Sequence, residues 1–127
     1  MKYPYNGSYY PPIPELKVRL VAPETGLSTA FLDAIIDTGA DATIIPTDYL
    51  HKIKASAEDN ARLRSPLGDY RSVRMYMIDV QIDDRTLPGF WVVGDEVGDE
   101  IVLGRNVINK MRLLLDGFAS QTEILYI

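Results

Sequence analysis

The chain has 127 residues, a formal net charge of −5 and a sequence pI near 4.7. Its 46% hydrophobic and 24% charged residues suit one folded domain, since single domains run roughly 100–200 residues. The absence of Cys removes disulfides, Cys-ligated zinc and thiol nucleophiles, and one His leaves no His-rich metal site.

The acidic balance argues against nucleic acid as a partner, because nucleic-acid binders present a basic face. No apolar run approaches the ~20 residues of a membrane helix, so no membrane partner is expected. The N-terminus MKYPYNGSYYPP lacks an apolar signal core, and a cytoplasmic location is expected on that ground.

Residues 1–14 stand apart as an N-terminal arm, holding four of the eight Tyr and four of the eight Pro. Pro fixes φ and removes a ladder donor, so an extended or mobile arm is expected there, preceding a domain over 15–127. From Glu15 the texture turns to β. Leu16, Val18 and Leu20 alternate with more polar neighbours, and strands are expected over 16–21, 29–36 and 42–45, the last stopped by Pro46. Thr47 is expected to N-cap a short helix over 47–53. The polar stretch 57–63 reads as a connection into Ser65-Pro66-Leu67-Gly68, which fits a type I turn. Alternation over 73–83 predicts a long strand, Asp83-Asp84 a turn, and 87–93 the returning strand, with Trp91 in the core. Ile101-Val102-Leu103 is a short strand before a helix over 105–111. Two strands, 113–115 and 124–127, follow around the turn signal Asp116-Gly117. The fold class is mostly β, with closed or barrel-like sheets and one or two short helices.

One constellation carries chemistry. Asp37-Thr38-Gly39-Ala40 directly follows the apolar run Ala34-Ile35-Ile36. A carboxylate at the end of a buried strand is costly unless it is hydrogen-bonded, paired or protonated. Later in the chain Ile101-Val102-Leu103 breaks at Gly104 into Arg105-Asn106. Other chemistries lack a motif: no Gly-x-Ser-x-Gly surrounds any Ser, and no Gly-rich phosphate loop occurs.

Asp37-Thr38-Gly39-Ala40-Asp41-Ala42-Thr43 followed by Leu103-Gly104-Arg105-Asn106 resembles the retropepsins, the retroviral-type aspartic peptidases and their single-domain cellular and bacterial relatives. The resemblance spans roughly residues 16–115. It implies a retropepsin-like closed β-barrel protomer that works as a homodimer on a peptide or protein substrate, without cofactor or metal. The family's catalytic Asp maps to Asp37. Thr38, Gly39 and Ala40 would support the loop, Asp41 would pair with Arg105, and Asn106 would brace the loop through Thr43. Leu67, Gly68 and Asp69 would form the flap. Ile35, Ile44 and Val102 would line the cleft and favour apolar side chains beside the scissile bond. Glu100 would stand at the cleft margin, where it favours basic or polar groups.

The chain holds no second Asp-Thr-Gly or Asp-Ser-Gly. Aspartic peptidase chemistry needs two carboxylates sharing a proton, so the second Asp37 must come from another copy. The implied function is an aspartic endopeptidase acting through a water activated by two Asp37 carboxylates. The alternative is a retropepsin-like dimeric peptide-binding or regulatory module with little or no turnover.

Overall fold

The computed structural model describes residues 1–64, 68 and 70–127. Alternation does most of the building. In β2 (Glu15–Val21), Leu16, Val18 and Leu20 are fully buried while Lys17 faces out, the period-2 pattern of a strand with one face in a core. β2 pairs antiparallel with β3 (Leu32–Ile36), which runs parallel to β8 (Ile101–Leu103). Beyond β8 lie β4 (Ile44–Pro46), β7 (Arg85–Asp95) and β6 (Tyr70–Ile82). β6 then returns to β2 through Arg19↔Gln81, Leu20↔Val80 and Val21↔Asp79. That last pairing closes a six-stranded barrel. Leu16, Leu20, Ile45, Ile78, Ile82, Val92 and Leu103 fill it. Among the described residues no helix is long and apolar enough to cross a membrane.

Several boundaries differ from the sequence expectation, each for a local reason. Thr29 does not continue β3. Its backbone N–H donates to the Leu20 carbonyl at 3.0 Å and its hydroxyl accepts the Leu20 N–H at 3.1 Å, so residues 28–29 pair with the end of β2 instead. Thr47 is not the N-cap of α1 (Thr47–Lys52). Pro46 occupies that position, no side chain caps the helix, and Thr47 is buried as the first helical residue. The polar stretch expected as a connection is the strand β5 (Ser56–Arg64), paired with β6 outside the barrel. An outlying strand has no core to face and so needs no apolar alternation. Trp91 is 39% exposed rather than core, because its neighbours Phe90 and Val92 point inward and period 2 turns it out. The helix expected over 105–111 is only α2 (Arg105–Ile108).

The arm is ordered. β1 (Lys2–Pro4) pairs with β10 (Gln121–Tyr126), which pairs with β9 (Arg112–Asp116) to make a separate three-stranded sheet. Three residues suffice for this strand, and Pro4 falls at its end, where a missing N–H is tolerated. The Tyr3 hydroxyl donates to Asp83 in the β6–β7 turn, fastening the arm to the barrel. Burial first, then this bond and the Asp83 charge, raise the Tyr3 phenol above its ordinary range.

Stability linked to a raised phenol pKa is fully present below the unfolded value of about 10 and is lost as pH rises through the folded value. Ultraviolet titration of the phenols should therefore show Tyr3 ionising after the ordinary tyrosines. Tyr9 is also raised, so Tyr3→Phe should take one phenol out of the late component and leave the other, and an unchanged titration would show that the tie to Asp83 does not form.

Candidate active site

The parallel pairing of β3 with β8 brings the two motifs together. Their register, Ala34↔Ile101, Ile35↔Val102 and Ile36↔Leu103, continues one step further as the Asp37 N–H donates to the Leu103 carbonyl at 3.0 Å. Asp37 therefore leaves the barrel beside Gly104. The chain then turns sharply: the Ala40 N–H donates to the Asp37 carbonyl at 3.2 Å and the Gly39 N–H to Asp37 Oδ1 at 2.9 Å. This self-closing carboxylate turn is a common use of Asp. Asp37, Thr38 and Gly39 are all exposed in the single chain, contrary to the burial that the preceding apolar run suggests.

The opposing segment holds this turn from behind. The Arg105 N–H donates to the Ala40 carbonyl at 2.8 Å. The Arg105 guanidinium donates to the Thr38 carbonyl at 2.9 Å and forms an ion pair with Asp41. Arg105 and Asp41 are 44% and 84% exposed, so the pair itself adds little, about 0–1 kcal/mol, and acts mainly by setting the fork on the loop.

Deeper in, Thr43 is fully buried. Its hydroxyl accepts the Gly104 N–H at 3.0 Å and donates to Asn106 Oδ1 at 2.7 Å. Asn106 Oδ1 also accepts the Val107 N–H at 3.0 Å, and its amide donates to the Trp91 carbonyl at 3.2 Å. Gly104 is indispensable here, since a Cβ would overlap the Ala42 carbonyl and stand 3.0 Å from the Ala40 oxygen. The sequence motif contains Gly104, but its contact partner is a backbone 62 positions earlier (104 − 42) and leaves no trace in composition. The Trp91 carbonyl is equally invisible, because a backbone acceptor is the same in every residue.

The expected cleft residues fall in one row. Ile35 registers with Val102, and Val102 with Ile44, across β3, β8 and β4. Ile35 is 8% exposed, and Ile44 and Val102 are half-buried. Of the expected flap, Leu67 and Asp69 lie outside the described residues. Gly68 is exposed with φ +91°, a conformation that favours glycine, and the β5–β6 hairpin on either side pairs as far as Arg64↔Tyr70.

Two turns locked back to back on a small closed barrel, one presenting an Asp-Thr-Gly carboxylate, define the fold of the single-domain aspartic proteases. The profile of the retroviral aspartyl protease family matches residues 11–116, and the chain belongs to that family. Among solved structures it is similar to a retropepsin-like aspartic protease from Rickettsia conorii. The TM-score is 0.62 and the identity 11%, over 96% of this chain and 86% of that one. EIAV protease complexed with the inhibitor HBY-793 is similar with a TM-score of 0.59 and 15% identity, over 77% and 86%. The retroviral protease-like domain of Ddi1 from Leishmania major follows with a TM-score of 0.52 and 17% identity, over 91% of each chain. No curated protein matches. At these identities the likeness is one of fold.

The locking network predicts two costs. Gly104→Ala forces two backbones apart and should destabilise by about 1–3 kcal/mol. Thr43→Val keeps the buried volume but strands the Gly104 N–H, at about 1–3 kcal/mol. Urea unfolding measures both, and two unchanged midpoints would mean that the turns are not locked in this way.

Proposed function

We propose that the protein is an aspartic endopeptidase whose active unit is a homodimer, each subunit supplying one Asp37. The observation that carries this reading is the Asp37 turn itself, docked on residues 104–106 with its carboxylate exposed at the surface. A lone exposed carboxylate is neither a strong base nor an acid that holds its proton. Two of them close together cannot both ionise, and one proton shared between them makes one a base and the other an acid. The ionised Asp37 takes a proton from a water, which attacks the scissile carbonyl. The protonated one hydrogen-bonds the carbonyl oxygen and then helps protonate the leaving nitrogen.

Asp33 and Asp41, the acids four positions to either side in the chain, are taken by Lys17 and Arg105. A second copy is the remaining source, and the surface supports one. Leu114, Leu115, Leu125 and Tyr126 on β9 and β10 and Phe118 between them are exposed, and β9 is the outer strand of its sheet. Clustered exposed apolar residues beside a free strand edge favour association. The row Ile35, Val102 and Ile44 would receive apolar side chains next to the scissile bond.

Asp37→Asn should lower cleavage of a peptide library by about 10²–10⁴-fold, and the wild-type rate should be bell-shaped in pH, with limbs belonging to the pair of carboxylates. Sedimentation should show a dimer, which Leu125→Asp weakens, with activity recovering at higher protein concentration. Equal cleavage by wild type and Asp37→Asn would overturn the mechanism. Peptide binding without cleavage by the wild type would instead identify a dimeric peptide-binding module.

A further inference from the structure

The Tyr- and Pro-rich arm plays no part in the proposed carboxylate pair, yet it is fastened to the strand that carries Asp37. The Ile36 N–H donates to the Pro14 carbonyl at 3.1 Å, and Glu15 stands opposite Ile35. Asn6 and Ile13 exchange backbone hydrogen bonds of 2.8 and 3.2 Å, so residues 7–12 form a loop. From this loop the Tyr9 hydroxyl donates to Glu100, just before β8. That bond is the main cause pushing the Tyr9 phenol up to about 12.

These ties border an open pocket of about 430 Å³ between the arm, β3 and the segment preceding β8. Asp33 and Ile35 both line it. They share one face of β3, and the same alternation continues to Asp37, so the cavity opens on the side of the strand from which the Asp37 carboxylate emerges. Its chemistry is one-sided. Among the described residues lining it, Glu15, Asp33, Asp99 and Glu100 stand with one ammonium, Lys17, which sits 2.6 Å from Asp33. Four carboxylates against one cation leave an excess of three negative charges. The rings of Tyr9, Phe31 and Tyr49 complete the walls, and Phe31 already carries a cation, the Arg19 guanidinium 5.3 Å from its centroid. Aromatic walls beside carboxylates suit a long basic side chain, whose methylene stem packs on rings while its head meets the acids.

We propose that this arm-walled pocket is a specificity pocket for a Lys or Arg side chain of the bound peptide, adjoining the apolar row through Ile35, with Tyr9 and Glu100 as its specificity-determining pair. Tyr9 closes the pocket and aims Glu100, and Glu100 supplies the charge. The inference rests on the peptidase reading for the placement of the peptide, but not for turnover.

Binding therefore tests it separately from cleavage. A display library of random peptides is selected on the full chain carrying Asp37→Asn, and matched peptides with Lys, Arg, Leu or Glu at the selected position are then titrated by fluorescence anisotropy. Lys and Arg should be enriched at one position and bind about tenfold tighter than Glu. Glu100→Lys should abolish that preference, Glu100→Gln and Tyr9→Phe should reduce it, and selection for apolar residues elsewhere in the peptide should persist. Circular dichroism establishes that the variants fold. A library without binders, no basic enrichment, or a preference unchanged in Glu100→Lys would overturn the inference. Basic-selective binding by a wild type that cleaves nothing would leave the pocket standing and end the peptidase reading.

Discussion

The candidate site depends on one buried hydroxyl. Thr43, fully buried, uses both its hydrogen-bonding capacities inward, accepting from Gly104 and donating to Asn106. The Ala42 and Gly104 backbones meet too closely for any side chain between them, so the hydroxyl must satisfy the buried N–H from the side. Once that contact is made, much else is determined. Ile44 registers with Val102, the parallel ladder extends from Ile36 to Asp37, and Arg105 emerges where its guanidinium reaches the Thr38 carbonyl. An exposed three-residue motif thus takes its conformation from interactions behind it, while its outer surface stays open. Preorganisation of this kind lets a solvent-facing carboxylate hold one position without the desolvation cost of burying it.

The charge of −5 also acquires a location. Four of the 18 acidic residues line one pocket beside β3, and the arm that walls it, paired with β10 at its start, is tied to the barrel by Tyr3 on Asp83, Tyr9 on Glu100 and the Pro14 carbonyl on Ile36. Two of these ties are phenol donors on carboxylates. A phenol keeps its proton across the range where carboxylates titrate, so both contacts need only the acid to ionise. Pro makes the intervening chain stiff, which reduces the conformational freedom lost when the loop settles. The composition that suggests an extended or mobile arm in one dimension is, in three, that of a fastened strap.

How much of this is legible in sequence depends on whether a feature is written locally. The alternation of Leu16, Val18 and Leu20 shows in the chain because β2 has one face in the core, and the Asp37 and Gly104 segments show because a carboxylate turn and a close backbone approach each demand particular residue types. β5 stayed hidden because a strand paired only at the barrel's outside is free to be polar. Trp91 misleads because size suggests burial, whereas the inward pointing of Phe90 and Val92 decides its side. The pairing of β1 with β10 joins residues about 120 positions apart, Lys2 with Glu123, and no local pattern encodes it. Tyr9 on Glu100 is a contact of the same kind, 91 positions apart.

The symmetry of the proposed dimer gives the single motif its last constraint. In a two-fold pair each Asp37 has the same surroundings, so nothing in the fold designates one as acid and the other as base. The distinction must come from the shared proton, which either carboxylate holds until substrate binds. For that to work the local support must hold the carboxylate without a full charge beside it: a cation on the carboxylate would fix it in the ionised form and remove the acid. Arg105, the cation of the opposing turn, is engaged elsewhere. It is committed to the Thr38 carbonyl and to Asp41, and among the described residues Asp37 Oδ1 accepts the uncharged Gly39 N–H. The ion pair between Arg105 and Asp41 is thus best understood by what it spares Asp37, and its weakness as a surface salt bridge is no objection to that role.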